Sequence, residues 1–199
     1  MALRLFAAFV LATGLSACAT PDTVSRNVPL ESQALAAPDQ QLIRDYAVTS
    51  IQVNVPRDLR VSEGNGYYPN ADIVWRGDPV GDRHAQIEEI FRTAVSEAAA
   101  DLTGTREVIA VIDVVRFHGV TERTRFSVGG VYNMVFNLGI YDGETGLVIE
   151  TPRQLVANLP APGGQAALQL EQAGQTEKVR VLDYLTFFIQ QELSTPAGV

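Results

Sequence analysis

Polar residues able to take part in binding or catalysis are concentrated in residues 71–87, "ADIVWRGDPVGDRHAQI". This stretch contains the only tryptophan of the chain and one of its two histidines, together with arginine and aspartate side chains. Guanidinium groups match the geometry of carboxylates and phosphates, and an aromatic ring can form the apolar side of a pocket. The stretch therefore predicts a binding site, whose candidate residues are Trp75, Arg76, Asp78, Asp82 and Arg83.

The same residues also fit a purely structural role. Trp75 ends a strand candidate, where its large ring is expected to pack. Asp82 is placed to cap a helix that begins at Arg83. Arg76 lies within reach of Asp78 and Asp82, which predicts a structural ion pair. On this alternative the stretch is a rigid corner of the fold, which can serve as a docking surface without being an active site.

The chain contains no recognisable catalytic or metal-binding motif. The two histidines, His84 and His118, belong to no H-E-x-x-H or paired-cysteine spacing. There is no G-x-S-x-G nucleophile elbow, and the glycine-rich segments lack the Lys-Ser/Thr of a phosphate-binding loop. Carboxylates are spread along the chain rather than paired. We therefore predict a protein that is not an enzyme and that has no catalytic residue, metal or cofactor.

A second cationic group, Arg116, Arg123 and Arg125, lies in and just before the polar segment "GVTERTRFSVGG". Arginine forks suit carboxylates and phosphates, so the group is a candidate anion site. The alternative, which the sequence favours, is a solvated loop in which Glu122 and other acids pair with these arginines.

The elements that hold these residues follow from hydrophobic periodicity. Alternation predicts a strand at residues 47–56, and runs rich in β-branched residues predict strands at 71–75, 107–120, 130–142 and 147–160. The turn "GETG" joins the last two strands. Because the connections among the last three strands are short, we expect these strands to form an antiparallel meander.

Two amphipathic helices complete the prediction. Apolar residues from Ile87 to Leu102 recur at helical spacing, and Gly104 is expected to end that helix. A second helix runs from Thr176 to about Ser194, and its buried side is marked by Val179, Leu182, Leu185, Phe188, Ile189 and Leu193. The expected fold is a two-layer α+β domain over residues 46–195, with a mainly antiparallel sheet and both helices packed on one face.

The N-terminus predicts export and lipidation. Arg4 precedes an apolar core that is too short to span a membrane, which is typical of a secretory signal peptide over residues 1–17. The sequence "LSAC" at 15–18 matches the lipobox of bacterial lipoproteins, whose cysteine receives a diacylglycerol. Cys18 is the only cysteine of the chain, as expected for a lipidated rather than a free thiol. We therefore predict membrane attachment through a lipid on Cys18, followed by a tether over residues 18–45.

Location and partners follow from these features. Residue 19 is Ala rather than Asp, and by resemblance to lipoprotein sorting in bacteria with two membranes this favours the outer membrane, facing the periplasm. The chain has 15 basic and 23 acidic residues, a net charge of −8, which argues against nucleic-acid binding. We expect a non-catalytic interaction or accessory module with an envelope protein partner. The alternative is a periplasmic binding module for a lipid or another small amphipathic or anionic ligand.

The corner and the loop before it, "VPRDLRVSEGNGYYPN", with the lipobox upstream and "GETG" downstream, resemble a family of uncharacterised lipoproteins of about this length from alphaproteobacteria. The matching residues are Ser62, Glu63, Asn65, Tyr68, Pro69, Asp72, Trp75, Arg76, Asp78, Pro79, Gly81, Asp82 and Arg83. That family has no assigned activity. The order of elements is also similar to auxiliary lipoproteins of lipid transporters and to lipoprotein activators of cell-wall synthases, a resemblance that implies an accessory role.

Overall fold

The computed structural model describes residues 42–195. The expected signal peptide, the lipidation site Cys18 and all but the last four residues of the expected tether lie outside this range. The elements are β1 (Tyr46–Asn54), β2 (Ile73–Val74), α1 (Arg83–Ala99), β3 (Arg106–His118), α2 (Glu122–Arg125), β4 (Gly130–Asp142), β5 (Val148–Ala161), α3 (Gln165–Gln172) and α4 (Glu177–Ser194). Of the helices in this range, none has the length and apolar character needed to cross a bilayer.

The five strands form one sheet, in which β1, β3, β4 and β5 lie side by side. Strands β3, β4 and β5 are antiparallel, as their short connections predicted. Strands β1 and β2 both run parallel to β3, so the expected α+β class is confirmed but the sheet is mixed rather than mainly antiparallel. The reason is α1, since the chain leaves β1, crosses back along this helix and enters β3 in the same direction.

The core lies between one face of the sheet, which we call the inner face, and helices α1 and α4. The inner face includes the predicted alternating residues of β4, all of them buried: Tyr132, Met134, Phe136, Leu138 and Ile140. Phe91 of α1 meets Phe136 edge to face, with 5.0 Å between the ring centroids. Helix α4 buries the predicted Leu185 and Ile189, whereas Val179 is exposed, contrary to the prediction. Both predicted helices therefore pack on one face of the sheet.

Two further helices were not expected. Helix α2 forms inside the segment interpreted as a polar loop, and the Thr121 hydroxyl caps it by accepting a hydrogen bond from the Thr124 N–H at 3.2 Å. Helix α3 forms inside the connection that is rich in glycine and glutamine. They have four and eight residues, which is too short for a periodic apolar stripe to stand out in the sequence.

The opposite face of the sheet, the outer face, is not covered by α1 or α4. Val131 is 48 % exposed and Val156 is 50 % exposed. Between them, Asn133 of β4 donates a hydrogen bond to Asn158 of β5 at 2.9 Å. One solvated face is common in antiparallel sheets, but exposed valines on such a face mark it as a candidate contact surface.

The two ends of the sheet differ in what they contact. At the proximal end, where the chain enters β1, Arg44 donates to the carboxylate of Glu150 at 2.8 and 2.6 Å and to the carbonyl of Thr195 at 2.6 Å. At the distal end, β3 finishes at His118 and β4 begins at Gly130. The 13 residues of β3 place the two ends roughly 40 Å apart, at about 3.3 Å per residue.

Candidate functional site

Trp75 is fully buried at the centre of the corner. Its ring packs edge to face on Phe117 of β3, with 5.4 Å between centroids, and its indole N–H donates to Asp78 Oδ2 at 2.8 Å. The other carboxylate oxygen of Asp78 accepts a hydrogen bond from Lys178 Nζ of α4 at 2.7 Å. Gly77 makes room for the indole, because a Cβ there would lie 2.3 Å from Trp75 Cζ2. The expected packing of Trp75 is confirmed, and its ring presents no surface to a ligand.

Arg76 and Arg83 converge on Glu63 rather than on the neighbouring aspartates. Arg83 Nε lies 2.8 Å from Glu63 Oε1, and Arg76 Nη1 lies 3.2 Å from Glu63 Oε2. The expected pairing of Arg76 with Asp78 and Asp82 is therefore wrong. The loop between β1 and β2 folds back over the corner and supplies Glu63, a placement that local spacing does not signal. The hydrogen bond from Arg83 lowers the pKa of the Glu63 carboxyl.

Arg83 holds the turn before α1 from inside. Its side chain is only 2 % exposed. Besides its contact with Glu63, the guanidinium donates to the carbonyls of Asp78 and Pro79 at 3.1 and 3.2 Å and to Gln86 Oε1 at 2.7 Å. A buried charge with this many partners is satisfied by the fold itself, which makes Arg83 a structural residue of the corner.

Asp82 caps α1 as expected, since its Oδ1 accepts a hydrogen bond from the Ala85 N–H at 3.2 Å. It also pairs with Arg57 at 2.7 Å, and the hydrogen bond from Arg57 lowers the pKa of the Asp82 carboxyl. His84 Nε2 lies 3.1 Å from the carbonyl oxygen of Leu59. Every candidate binding residue of the corner thus has partners within the fold, and a role for these residues in ligand binding stays a prediction.

A groove of about 650 Å³ lies at the distal end of the outer face. Its lining comes from the loop before β2, the end of β3, the turn after α2, and strands β4 and β5. None of the five candidate binding residues lines this groove. Side chains that form it include Tyr67, Tyr68, Val128, Val131, Asn133 and Asn158. Its volume falls within the range of small-molecule sites. We call this feature the distal groove.

Two adjacent tyrosines form one side of the distal groove, and each is held by an arginine. The Arg123 guanidinium lies 4.4 Å from the centroid of the Tyr67 ring, and a hydrogen bond from Arg123 lowers the pKa of Tyr67. Arg116 Nη2 donates to the Tyr68 hydroxyl at 2.7 Å. The Tyr68 ring stacks on His118 at 4.4 Å between centroids, yet Tyr68 remains 73 % exposed. The tyrosines are therefore fixed in place while still facing solvent.

Threonines near α2 fix the loop that carries the tyrosines. Thr121 Oγ1 donates to the carbonyl of Gly66 at 2.7 Å, and Thr124 Oγ1 donates to the carbonyl of Tyr67 at 2.7 Å. Both threonines are buried. Because a buried hydroxyl that loses its hydrogen-bond partner is energetically costly, these hydrogen bonds hold this wall of the groove in one arrangement.

The three arginines of the second cationic group face different surroundings. Arg125 turns away from the distal groove and pairs with Glu171 at 2.9 Å and with Glu177 at 3.6 Å. Within residues 42–195, no carboxylate lies within ion-pair distance of Arg116 or Arg123. The expected pairing with Glu122 is therefore wrong. Arg116 and Arg123 contact the two tyrosines of the groove lining, and we call this tyrosine side the rim of the distal groove. The rim thus carries two positive charges on a chain whose net charge is −8.

A separate polar cluster lies on the inner side of the sheet. Glu177 is buried, accepts a hydrogen bond from the Tyr132 hydroxyl and lies near Arg125. Burial raises the pKa of the Glu177 carboxyl, because loss of water disfavours its charged form. The cluster borders a space of about 10 Å³, enough for about one water molecule. In the part of the chain that the structure describes, no three metal-ligating side chains converge.

The fold and the site define an α+β domain with one helix-covered sheet face, one open face and a groove at the distal end. Residues 46–199 match the model of the family of unknown function DUF6778, and the chain belongs to that family. The expected membership in a family without an assigned activity is thereby confirmed, and the alphaproteobacterial lineage stays a prediction. No curated protein matches the chain.

Solved structures that match the chain share little sequence identity with it. One is a protein from Xanthomonas campestris of family DUF330, with 14% identity, a TM-score of 0.42, and coverage of 77% of this chain and 84% of that chain. Another is a minor lipoprotein from Acinetobacter baumannii, with 11% identity, a TM-score of 0.33, and coverage of 78% of this chain and 100% of that chain.

Proposed function

We propose that this protein is a lipid-anchored accessory module of the bacterial envelope, which binds a protein partner and performs no catalysis. The anchoring part of the proposal rests on the lipobox around Cys18 and on its position after a signal peptide pattern. Three acyl chains, as on mature lipoproteins of this type, exceed the two signals that stable membrane attachment requires. Ala19 supports the outer membrane as the site of attachment, with the domain in the periplasm.

The observation that carries the docking part is the apolar surface of the distal groove, which we call the distal patch and define as Tyr67, Tyr68, Val128 and Val131. All four side chains are exposed. Tyrosine and arginine are enriched in protein interfaces, and here two arginines adjoin the two tyrosines. The patch is at the end of the sheet roughly 40 Å from the point where the chain enters β1.

Site-specific photocrosslinking in intact cells tests this proposal. A crosslinking amino acid at Tyr68 should capture one dominant envelope protein, because Tyr68 is 73 % exposed within the distal patch. The matched control is Phe187, an exposed aromatic residue of α4, outside the patch. The proposal fails if Tyr68 captures no protein at native or raised expression, or if Phe187 captures the same protein with the same yield.

A second candidate function is the binding of a small amphipathic or anionic ligand. The distal groove favours it, because its volume of about 650 Å³ suits a small molecule and two arginines contact the tyrosines of its lining. This groove differs from the pocket expected from the sequence, which placed Trp75 and Arg76 at its mouth. Native mass spectrometry of the protein after exposure to envelope lipid extracts should detect a bound molecule, and a protein that stays empty would exclude this function.

A further inference from the structure

We propose that the distal groove binds an anionic amphipathic molecule, with its alkyl or acyl chain along the groove and its charged head group between Arg116 and Arg123. The inference rests on the second candidate function and names the ligand class for that site. Two independent features carry it, which are the apolar character of the groove lining and the unpaired positive charge at the rim.

The groove offers mainly apolar surface because its polar side chains are already engaged with one another or with the backbone. Asn133 donates to Asn158 at 2.9 Å, and His118 Nε2 lies 3.0 Å from the carbonyl oxygen of Pro69. Thr124 donates to the carbonyl of Tyr67. A hydrocarbon chain placed here would therefore cover valine, glycine and aromatic surface without breaking a hydrogen bond, which is the favourable case for apolar burial.

The rim supplies the complementary charge. Arg116 donates one hydrogen bond to the Tyr68 hydroxyl, and the Arg123 guanidinium lies against the Tyr67 ring, so both retain N–H donors for an anion. Asp72, whose pKa is lowered in part by Arg116, forms its own ion pair with Arg60 at 3.3 Å. Among the described residues no carboxylate forms an ion pair with Arg116 or Arg123, and a phosphate or carboxylate head group would supply that partner.

Binding of two matched probes tests the inference on the unlipidated mature chain, residues 18–199 with Cys18→Ser. The probes are dodecyl phosphate and its neutral counterpart glycerol monolaurate, both below their micelle-forming concentrations and measured by calorimetry. We expect dodecyl phosphate to bind at least about tenfold more tightly, with an affinity that falls as salt rises. The double variant Arg116→Gln/Arg123→Gln should lose this tenfold preference while binding the neutral probe as before.

Three controls keep the outcome interpretable. Arg92→Gln removes an exposed arginine of α1 far from the groove and should change nothing. Val131→Glu, which places a charge in the groove, should abolish binding of the neutral probe, whereas Val156→Glu, an equally exposed valine of the same face outside the groove lining, should not. Fluorescence of Trp75, the only tryptophan, verifies that each variant is folded.

The outcomes separate the inference from the function on which it rests. If both probes bind equally, or if the double variant keeps the preference for phosphate, the inference is overturned while ligand binding in the groove survives. If Val131→Glu and Val156→Glu behave alike, the distal groove is not the site and the inference is also overturned. If neither probe binds the wild-type protein, both the inference and the second candidate function are refuted.

Discussion

Replacing Arg83 by alanine should destabilise the domain by about 3 kcal/mol. The side chain is 2 % exposed and contacts Glu63, two backbone carbonyls and Gln86. Removing one partner of a buried ion pair typically costs about 3–5 kcal/mol, because the remaining groups stay dry and unpaired. We take the lower end of that range, since Glu63 is 46 % exposed and its carboxylate can recover water in the variant. For a domain of this size the melting temperature should fall by about 6–12 °C.

Urea unfolding followed by Trp75 fluorescence measures this change directly, because the buried indole becomes exposed on unfolding. The matched control is Arg92→Ala, which breaks an exposed pair with Glu88 at 2.6 Å on α1 and should cost less than about 0.5 kcal/mol. If Arg83→Ala and Arg92→Ala unfold at the same urea concentration, Arg83 is not a structural residue of the corner. Arg83 would then again be a candidate ligand-binding residue within residues 71–87.

Three further predictions concern other parts of the chain. Gly77→Ala should lower the free energy of unfolding in urea by about 1–3 kcal/mol, because the new Cβ would overlap the Trp75 ring. In the control Gly66→Ala the new Cβ meets nothing within 4 Å, so the loss should be far smaller. Equal losses in the two variants would contradict the packing of Trp75 against Gly77. The raised pKa of Glu177 means that the folded protein holds this proton more tightly than the unfolded chain, so stability falls as pH rises from the ordinary carboxyl range through the folded pKa. Glu177→Gln should therefore reduce the fall of the urea midpoint as the pH rises above the ordinary carboxyl range, and an unchanged pH dependence would count against burial as the cause. Cys18→Ser should move the protein from the membrane fraction to the soluble periplasmic fraction, and retention in membranes would refute lipid anchoring at this residue.

Hydrophobic periodicity predicted the long elements because it reports which side of a segment is buried. The alternating residues of β4 and the apolar stripe of α1 are buried as expected, and Asp82 caps α1. The method failed where segments are short, since α2 has only four residues. The periodicity also predicted the wrong side for Val179. Near the start of α4 both faces of the helix carry apolar residues, so periodicity alone does not show which face is buried.

The candidate site was only partly accessible from the sequence. The structural alternative for residues 71–87 is confirmed for the packing of Trp75 and the cap at Asp82, but local spacing suggested aspartate partners for Arg76 where the structure supplies Glu63. The cationic group before and within "GVTERTRFSVGG" was visible as a pattern, yet nothing in the pattern separates Arg125, which pairs with Glu177, from Arg123, which lies over the Tyr67 ring. The partner of an ion pair depends on how distant loops fold back, and spacing along the chain does not reveal this.

The sequence by itself determines the local features of this protein, which are its strands, its long helices and the cap of α1. It also carries the pattern from which export and lipidation at Cys18 are predicted. Each of these depends on residues that are neighbours along the chain or that repeat at a helical or strand period. The tertiary structure alone decided that β1 runs parallel to β3 and that the loop before β2, α2 and two strands meet around one groove. The physical reason is that such contacts join segments tens of residues apart, and the packing of the whole core selects them.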